Sequence, residues 1–226
     1  KDTHKSGGGE IATATALCAR YGMAVRYVGR LGDDEIGQFS LMDLKREPMD
    51  ISCVDIVSGA SSQIGVILVD GVTGERTVLW DVDTALLYQK GELKRDSIVA
   101  GQLLHVDGHD LQACLQAAKW AKEAQMKISL DIDKMQPGCE ELLELSDFVL
   151  ATSEFICEVS GEEDWKKGLL TMGHLRLDVL GVTLGKGGAA VVHGGEIVEF
   201  PGLLVDAVDT TGAGDIFHGA FIYALF

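Results

Sequence analysis

Apolar positions along this chain recur in two textures: the 3.6-residue period of helices and the short continuous runs of buried strands. Ile11 to Tyr21, rich in Ala and Thr and entered from Gly7-Gly8-Gly9, predicts a helix. Ala24 to Gly29 predicts a short strand, and Asp33 to Glu47 an amphipathic helix capped by acid. Between Ile51 and Trp80 the texture changes. Val54–Val57, Gln63–Val69 and Glu75–Trp80 are β-rich runs separated by Ser58-Gly-Ala-Ser-Ser62 and Asp70-Gly-Val-Thr-Gly74. Successive strands with no helix between them predict an antiparallel patch.

Beyond Gln102 the alternation is regular. Strands are expected at Gln102–Asp107, Lys127–Ile132, Phe148–Leu150 and Leu177–Leu184, with helices at Leu111–Gln125, Cys139–Leu145 and Glu154–Met172. Val149-Leu150 and Val179 to Leu184 do not alternate with polar residues, as expected of strands covered on both faces. The fold class is therefore α/β, a three-layer sandwich with a mostly parallel central sheet and a small β-lid. Residues 1–6 and 51–80 are assigned to the lid, and 7–50 with 81–226 to the body. A β-flap beside a parallel sheet suits a cover over a site.

Composition narrows the function. The 226 residues are 46% hydrophobic and 24% charged, an ordinary globular balance. Nineteen Lys and Arg against 35 Asp and Glu give a formal charge of −16, a poor match for a polyanion, so no nucleic-acid partner is expected. The five cysteines form no CxxC pair, which argues against a zinc knuckle or disulfide framework and for a reducing cytoplasm. No apolar run is long enough to span a membrane, and no membrane partner is expected. The chain opens on Lys1-Asp2-Thr3 and stops at Phe226 inside an apolar helical pattern, so it is expected to be clipped at both ends.

The candidate chemistry sits in Val208-Asp-Thr-Thr-Gly-Ala-Gly-Asp215, followed by the apolar helical stretch Ile216 to Phe226. Gly212, Ala213 and Gly214 fall at a helix N-terminus, where backbone N–H groups and the helix dipole favour an anion. Asp215 lies in the first turn. A carboxylate beside an anion hole is electrostatically costly unless it takes a proton from a nucleophile. Alone, the four residues would read as a capping Asp after a glycine turn.

The surrounding blocks change that reading. Asp209-Thr-Thr-Gly-Ala-Gly-Asp215-Ile-Phe-His-Gly219-Ala220 resembles the C-terminal signature of the ribokinase, or PfkB-type, carbohydrate kinases. Gly8-Gly9 with Ala19-Arg20-Tyr21-Gly22 resembles that family's glycine pair and following helix. Val28-Gly29-Arg-Leu-Gly32-Asp33-Asp34-Glu-Ile-Gly37 resembles its Gly-x-x-Gly-x-Asp-x-x-Gly block, and Val182 to Ala189 its nucleotide strand and loop. Four ordered blocks cover residues 7 to 220.

The resemblance implies transfer of the γ-phosphoryl of ATP to a small sugar. It makes Asp215 the general base and the Gly212, Ala213 and Gly214 backbones the anion hole. Thr183, Gly185, Gly188 and Thr210 would hold ATP. Gly8, Gly9 and Thr13 would meet the sugar, with Asp107 beside them at a strand end. Asp209 and Thr211 match positions that bind a monovalent cation, K⁺, in many members. Mg²⁺ is implied by the charge of the transferring phosphates, with Glu154 its water-mediated ligand. Thr13 stands where the family often has Asn. The family's Asn-x-x-Glu has no Asn near Leu150 to Glu158, which leaves Ser153, Glu154 or Glu158.

Two other functions remain open: a nucleoside (adenosine-like) kinase, and a catalytically silent sugar- or nucleotide-binding protein on the same fold. Val106 to Asp110 and Asp131-Ile-Asp133 resemble ketohexokinase-like sugar kinases, which favours a ketose or related sugar. Arg76 is the lid's one candidate for a substrate phosphate, so an unphosphorylated sugar is expected. The lid's apolar strands should leave a face uncovered, and two lids pairing would give a homodimer.

Overall fold

The computed structural model describes residues 5–69, 76–207 and 209–226. Parts of two expectations, residues 1–4 and 70–75 of the lid, and Val208 of the signature, lie outside the described residues. The side chain of Arg76 does too. The chain divides into two compact units, Lys1–Glu92 with Asp206–Phe226, and Leu93–Val205.

In the first unit, α1 (Glu10–Arg20) follows the glycine turn, and β1 (Arg26–Gly32) leads through α2 (Glu35–Leu44) to β2 (Asp50–Val57). β1 and β2 pair in parallel, Gly29 opposite Val54 and Gly32 opposite Val57. This corrects the reading of 51–80 as one antiparallel patch. β2 is the return strand of a strand–helix–strand crossover, and a helix between two strands makes parallel pairing the natural result. The antiparallel part is β3 (Ile64–Val69) with β4 (Arg76–Asp81), a separate two-stranded sheet registered Val66 to Leu79 and Ile67 to Val78. Opposed residues share a face. Val66, Leu68 and Leu79 therefore lie on one face, and Ile67, Val78 and Trp80 on the other. Both sets are exposed.

The loop between β2 and β3 is pinned at its root by carboxylates. Asp33 accepts from the Ser58 hydroxyl and the Gly59 amide at 3.0 Å each. Asp34 caps α2 through the Gly37 amide at 2.8 Å and accepts from the Ser62 amide at 3.1 Å. Asp83 accepts from the Ser61 amide at 2.9 Å, and the buried Ser62 hydroxyl accepts from the Gly32 amide at 2.8 Å. These amide bonds hold the Asp34 and Asp83 carboxyls below the usual carboxylate range. The unit closes with α8 (Ala213–Leu225) packed on α1.

The second unit begins with α3 (Arg95–Ile98) and is built on a six-stranded sheet. β5 (Leu103–Val106), β6 (Lys127–Ile132), β7 (Phe148–Thr152) and β8 (Val179–Thr183) run in parallel. β9 (Ala189–His193) and β10 (Glu196–Phe200) complete it as an antiparallel hairpin on the β8 edge. Sequence periodicity had not marked this hairpin, whose turn is Gly194-Gly195. The intervening helices are α4 (Leu111–Glu123), α5 (Cys139–Leu145), α6 (Ser153–Ser160) and α7 (Trp165–Thr171).

Ile128, Ser129 and Leu130 are consecutive and all buried, as are Phe148 to Ala151. Successive strand residues point to opposite faces, so the sheet is covered on both sides. Leu115, Ala118 and Ala121 of α4, Leu142 of α5, Phe155 and Ile156 of α6 and Leu169 of α7 join the strands in one apolar cluster. Burying a side chain such as Phe155 or Ile128 contributes about 1.5–3 kcal/mol. The N-terminal ends of the strands meet at Asp147. Its carboxylate accepts from Lys122 Nζ at 2.9 Å, Lys127 Nζ at 3.1 Å and the Ile128 amide at 2.9 Å. Its carbonyl accepts from the amides of Asp178 at 2.7 Å and Val179 at 3.2 Å.

Candidate active site

The residues expected to carry chemistry fall into two sets, one in each unit. In the first unit, Asp209, Thr210 and Thr211 form a tight approach to α8. The Thr211 amide donates to Asp209 Oδ1 at 2.8 Å, and the Ala213 amide to the Thr210 carbonyl at 3.1 Å. Gly212 is the N-cap, with φ of +77°, a left-handed conformation that disfavours any residue with a Cβ. A glycine cap brings no side chain, so the N-cap of α8 makes no side-chain hydrogen bond. The first-turn amides of a helix have no intrahelical acceptors and, with the dipole, favour a negative group. An anion at this terminus competes with the Thr210 carbonyl for the Ala213 amide. That carbonyl engagement was not visible in the sequence.

Asp215 lies in the first turn of α8, and Thr13 in α1. A Cβ built on Gly212 would lie 3.6 Å from Thr13 Cγ2 and 3.8 Å from Asp215 Oδ2. The structure thus brings Gly212, Asp215 and Thr13 to one place, although 198 residues lie between Thr13 and Gly212 in the chain. Gly8 and Gly9 precede α1, and Gly9, at φ +101°, is its N-cap. The adjacent Gly7 amide donates to Asp43 Oδ2 of α2 at 2.9 Å, which ties the glycine turn to the helix after β1.

In the second unit, Thr183 ends β8 and pairs in register with Thr152, the last residue of β7. Glu154 follows in the first turn of α6, which Thr152 caps through the Phe155 amide at 3.2 Å. The loop 185–188 and Glu154 therefore leave the same end of neighbouring parallel strands. Ser153 Oγ donates to Glu154 Oε2 at 2.9 Å. Gly188, at φ +98°, is pressed against Phe200 O and Gly202 N, so a Cβ there would meet backbone. Its carbonyl accepts from the Leu184 amide at 2.8 Å.

Asp107 follows β5, next to Asp131 of β6 in the strand register. Burial pushes its carboxyl up. The His109 charge and the His109 amide, 3.0 Å from Oδ1, pull it down, while the Asp131 charge pushes it further up. Asp131 was not among the expected site residues; the parallel register that sets it beside Asp107 is its signal. A carboxyl at the C-terminal end of a parallel strand is placed to hydrogen-bond a polar ligand.

The oxygen donors fit the implied cations. Asp209 with the neighbouring backbone offers oxygens only, and Glu154 offers a carboxylate, ligand types that hard cations prefer.

With that geometry in place, comparison decides the family. The family model described as pfkB family carbohydrate kinase matches residues 1–226. The chain belongs to this family. It is a carbohydrate kinase of the ribokinase-like fold. An aminoimidazole riboside kinase of Salmonella typhimurium is 26% identical over 237 residues, 98% of this chain and 74% of that protein. A fructokinase of Klebsiella pneumoniae is 29% identical over 237 residues, 96% of this chain and 76% of that protein. Among solved structures, the adenosine kinase of Sinorhizobium meliloti matches with a TM-score of 0.85 and 21% identity, over 100% of this chain and 73% of the other. The fructokinase of Vibrio cholerae O395, bound to fructose, ADP and calcium ion, matches with a TM-score of 0.80 and 24% identity, over 96% and 76%. At these identities the two structures speak for the fold. This kinase shares it, and the expected α/β class and mostly parallel sheet are confirmed.

Proposed function

We propose that this pfkB family kinase transfers the γ-phosphoryl of ATP to a hydroxyl of a small unphosphorylated sugar. The observation that carries the reading is the meeting of Gly212, Asp215 and Thr13 at the start of α8. Thr13, with the backbone at Gly8 and Gly9, orients the sugar. Asp215 takes the proton of the acceptor hydroxyl as its oxygen bonds to the γ-phosphorus. The bond from that phosphorus to the β–γ bridging oxygen breaks, and ADP leaves. The backbone of Gly212, Ala213 and Gly214 steadies the charge on the transferring group. Thr183, Gly185, Gly188 and Thr210 bind the nucleotide, and Asp107 hydrogen-bonds a sugar hydroxyl. Glu154 would hold Mg²⁺ through water, which would supply neutralisation of phosphate charge, and Asp209 and Thr211 would hold K⁺.

A ketose is the favoured acceptor, in line with the fructokinase relative. The riboside kinase relative supports a nucleoside as the second reading. We also assign the β3–β4 hairpin to a lid and to a homodimer contact, supported by its two exposed apolar faces. A cytoplasmic setting fits the five free cysteines. Among the described residues no helix is long and apolar enough to cross a membrane.

The test is ADP release from ATP and Mg²⁺ across a panel of ketoses, aldoses and nucleosides, repeated with Asp215→Asn. The expected result is turnover with a sugar and a fall in kcat of at least roughly a hundredfold in the variant, with ADP affinity equal or better. Thermal stability should fall only slightly, since Asp215 lies in the first turn behind the Gly212 cap and its replacement removes a charge–dipole contribution of about 0.3–1 kcal/mol. Turnover confined to nucleosides would favour the second reading. Binding without turnover across the panel would leave a silent binder, and a variant with near-normal kcat would reduce Asp215 to a helix residue.

A further inference from the structure

Two consecutive residues of α1 touch α8 at points two turns apart. Ala14 is fully buried against Gly219, where an added Cβ would lie 2.5 Å from the Ala14 carbonyl oxygen and 3.2 Å from its Cα and carbonyl carbon. Those are backbone atoms, so no rotamer change relieves the contact. The buried Cys18 thiol donates to the Gly219 carbonyl at 3.3 Å and ties the same crossing. Thr13, one residue before Ala14, lies beside Gly212, seven residues before Gly219. Seven residues are about two helical turns. The helix that carries the acceptor-side hydroxyl and the helix that carries the anion hole and Asp215 are therefore set against each other at Gly219.

We propose that Gly219 is a positioning residue for phosphoryl transfer: by letting the backbones of α1 and α8 touch, it fixes the spacing between Thr13 and the start of α8. The inference rests on the phosphoryl-transfer reading above. Transfer requires the attacking oxygen roughly 3–3.5 Å from its target and in line, and a misplacement of about 1 Å costs on the order of a hundredfold in rate. Restoring ordinary contact at Gly219, from 2.5 Å to 3.4 Å, moves the helices apart by about 0.9 Å (3.4 − 2.5). Alanine is the better helix former, so the substitution favours α8 itself while it opens the crossing.

The experiment measures kcat, the sugar KM, ADP affinity and thermal midpoint for the wild type and Gly219→Ala, with Cys18→Ser and Cys18→Ala as a second pair. Gly219→Ala is expected to lower kcat at least tenfold with ADP affinity within twofold, because Thr183, Gly185, Gly188 and Thr210 all lie outside α1 and α8. Cys18→Ser keeps a donor for the Gly219 carbonyl and should hold the rate. Cys18→Ala removes that donor and should lower kcat several-fold. If Gly219→Ala does not fold, the Cys18 pair decides. A folded Gly219→Ala with kcat and sugar KM within twofold of wild type overturns the inference, as does equal kcat for the two Cys18 variants. A wild type that phosphorylates nothing on the panel overturns the functional reading as well. An active wild type with an unaffected variant overturns this inference alone.

Discussion

Replacing Asp147 with Ala should destabilise the second unit without touching the chemistry. The side chain is 13% exposed and answers three donors: Lys122, Lys127 and the Ile128 amide. The amide is the costly one. Losing a charged acceptor for a part-buried N–H costs about 1.5–3 kcal/mol. Lys122 is 37% exposed, so its ion pair adds at most about 1 kcal/mol. Lys127 is still held by Asp178 at 2.8 Å and receives no share. The expected loss is about 1.5–4 kcal/mol, or roughly 3–16 °C in thermal midpoint for a chain of this size. The pH dependence has a definite sign. Burial pushes the Asp147 carboxyl up, but bonds from Lys122, the Ile128 amide and Lys127 outweigh it and leave it below its ordinary value. The stabilisation is therefore complete above the unfolded carboxylate range and is lost as pH falls through the lower, folded value. Urea unfolding of wild type and variant at pH 7, 5 and 3.5 should show a gap that narrows only at the acid end. A gap below about 0.5 kcal/mol at pH 7, or one that widens in acid, would refute the reasoning.

Other consequences follow from the same geometry. If Asp209 and Thr211 hold K⁺, activity at fixed ionic strength should rise several-fold in K⁺ over a large inert cation; equal initial rates would remove the assignment. Gly188→Ala places a Cβ against Phe200 and Gly202 at a φ of +98°, which displaces the loop. The KM for ATP should rise at least tenfold while the sugar KM stays within twofold, by steady-state kinetics. Val66→Glu puts a charge on one apolar face of the β3–β4 hairpin. Light scattering should then report a monomer where the wild type is a dimer, and a wild-type monomer at micromolar concentration would sink the assignment.

The elements of this fold were legible wherever local pattern and tertiary role agree. The runs at Phe148–Leu150 and Val179–Leu184 read as doubly covered strands because an apolar texture without alternation has few other uses. The pairing of β2 was not legible. Its residues look alike whether their neighbour is β1 or β3, and only the crossover through α2 decides. The β9–β10 hairpin carried a readable signal in Gly194-Gly195, a two-residue glycine turn between the β-rich runs Ala189–His193 and Glu196–Phe200. At the candidate site, Gly212 and Asp215 were marked by resemblance to the family's signature, since alone they read as a glycine turn and a capping Asp. Asp131, Ala14 and Cys18 were not, since their roles arise from contact across strands or helices. Thr13 is intermediate: alignment to a motif suggested it, and only the folded chain sets it beside Gly212.

The pinned root of the β3–β4 hairpin has a mechanical consequence. Asp33, Asp34 and Asp83 each hold an amide of the loop 58–62, so the hairpin is mounted as a cantilever and not on a free pivot. Any swing has to flex the strands beyond Gln63, because rotation at the root breaks several carboxylate bonds together. Amide hydrogen exchange should record this as a gradient, with Gly59, Ser61 and Ser62 slow and Ile64 to Val69 progressively faster towards the tip. The hairpin's travel is then set by the twist and stiffness of two strands. Replacing Asp33, Asp34 and Asp83 together by Ala would turn the same arm into a loose tether.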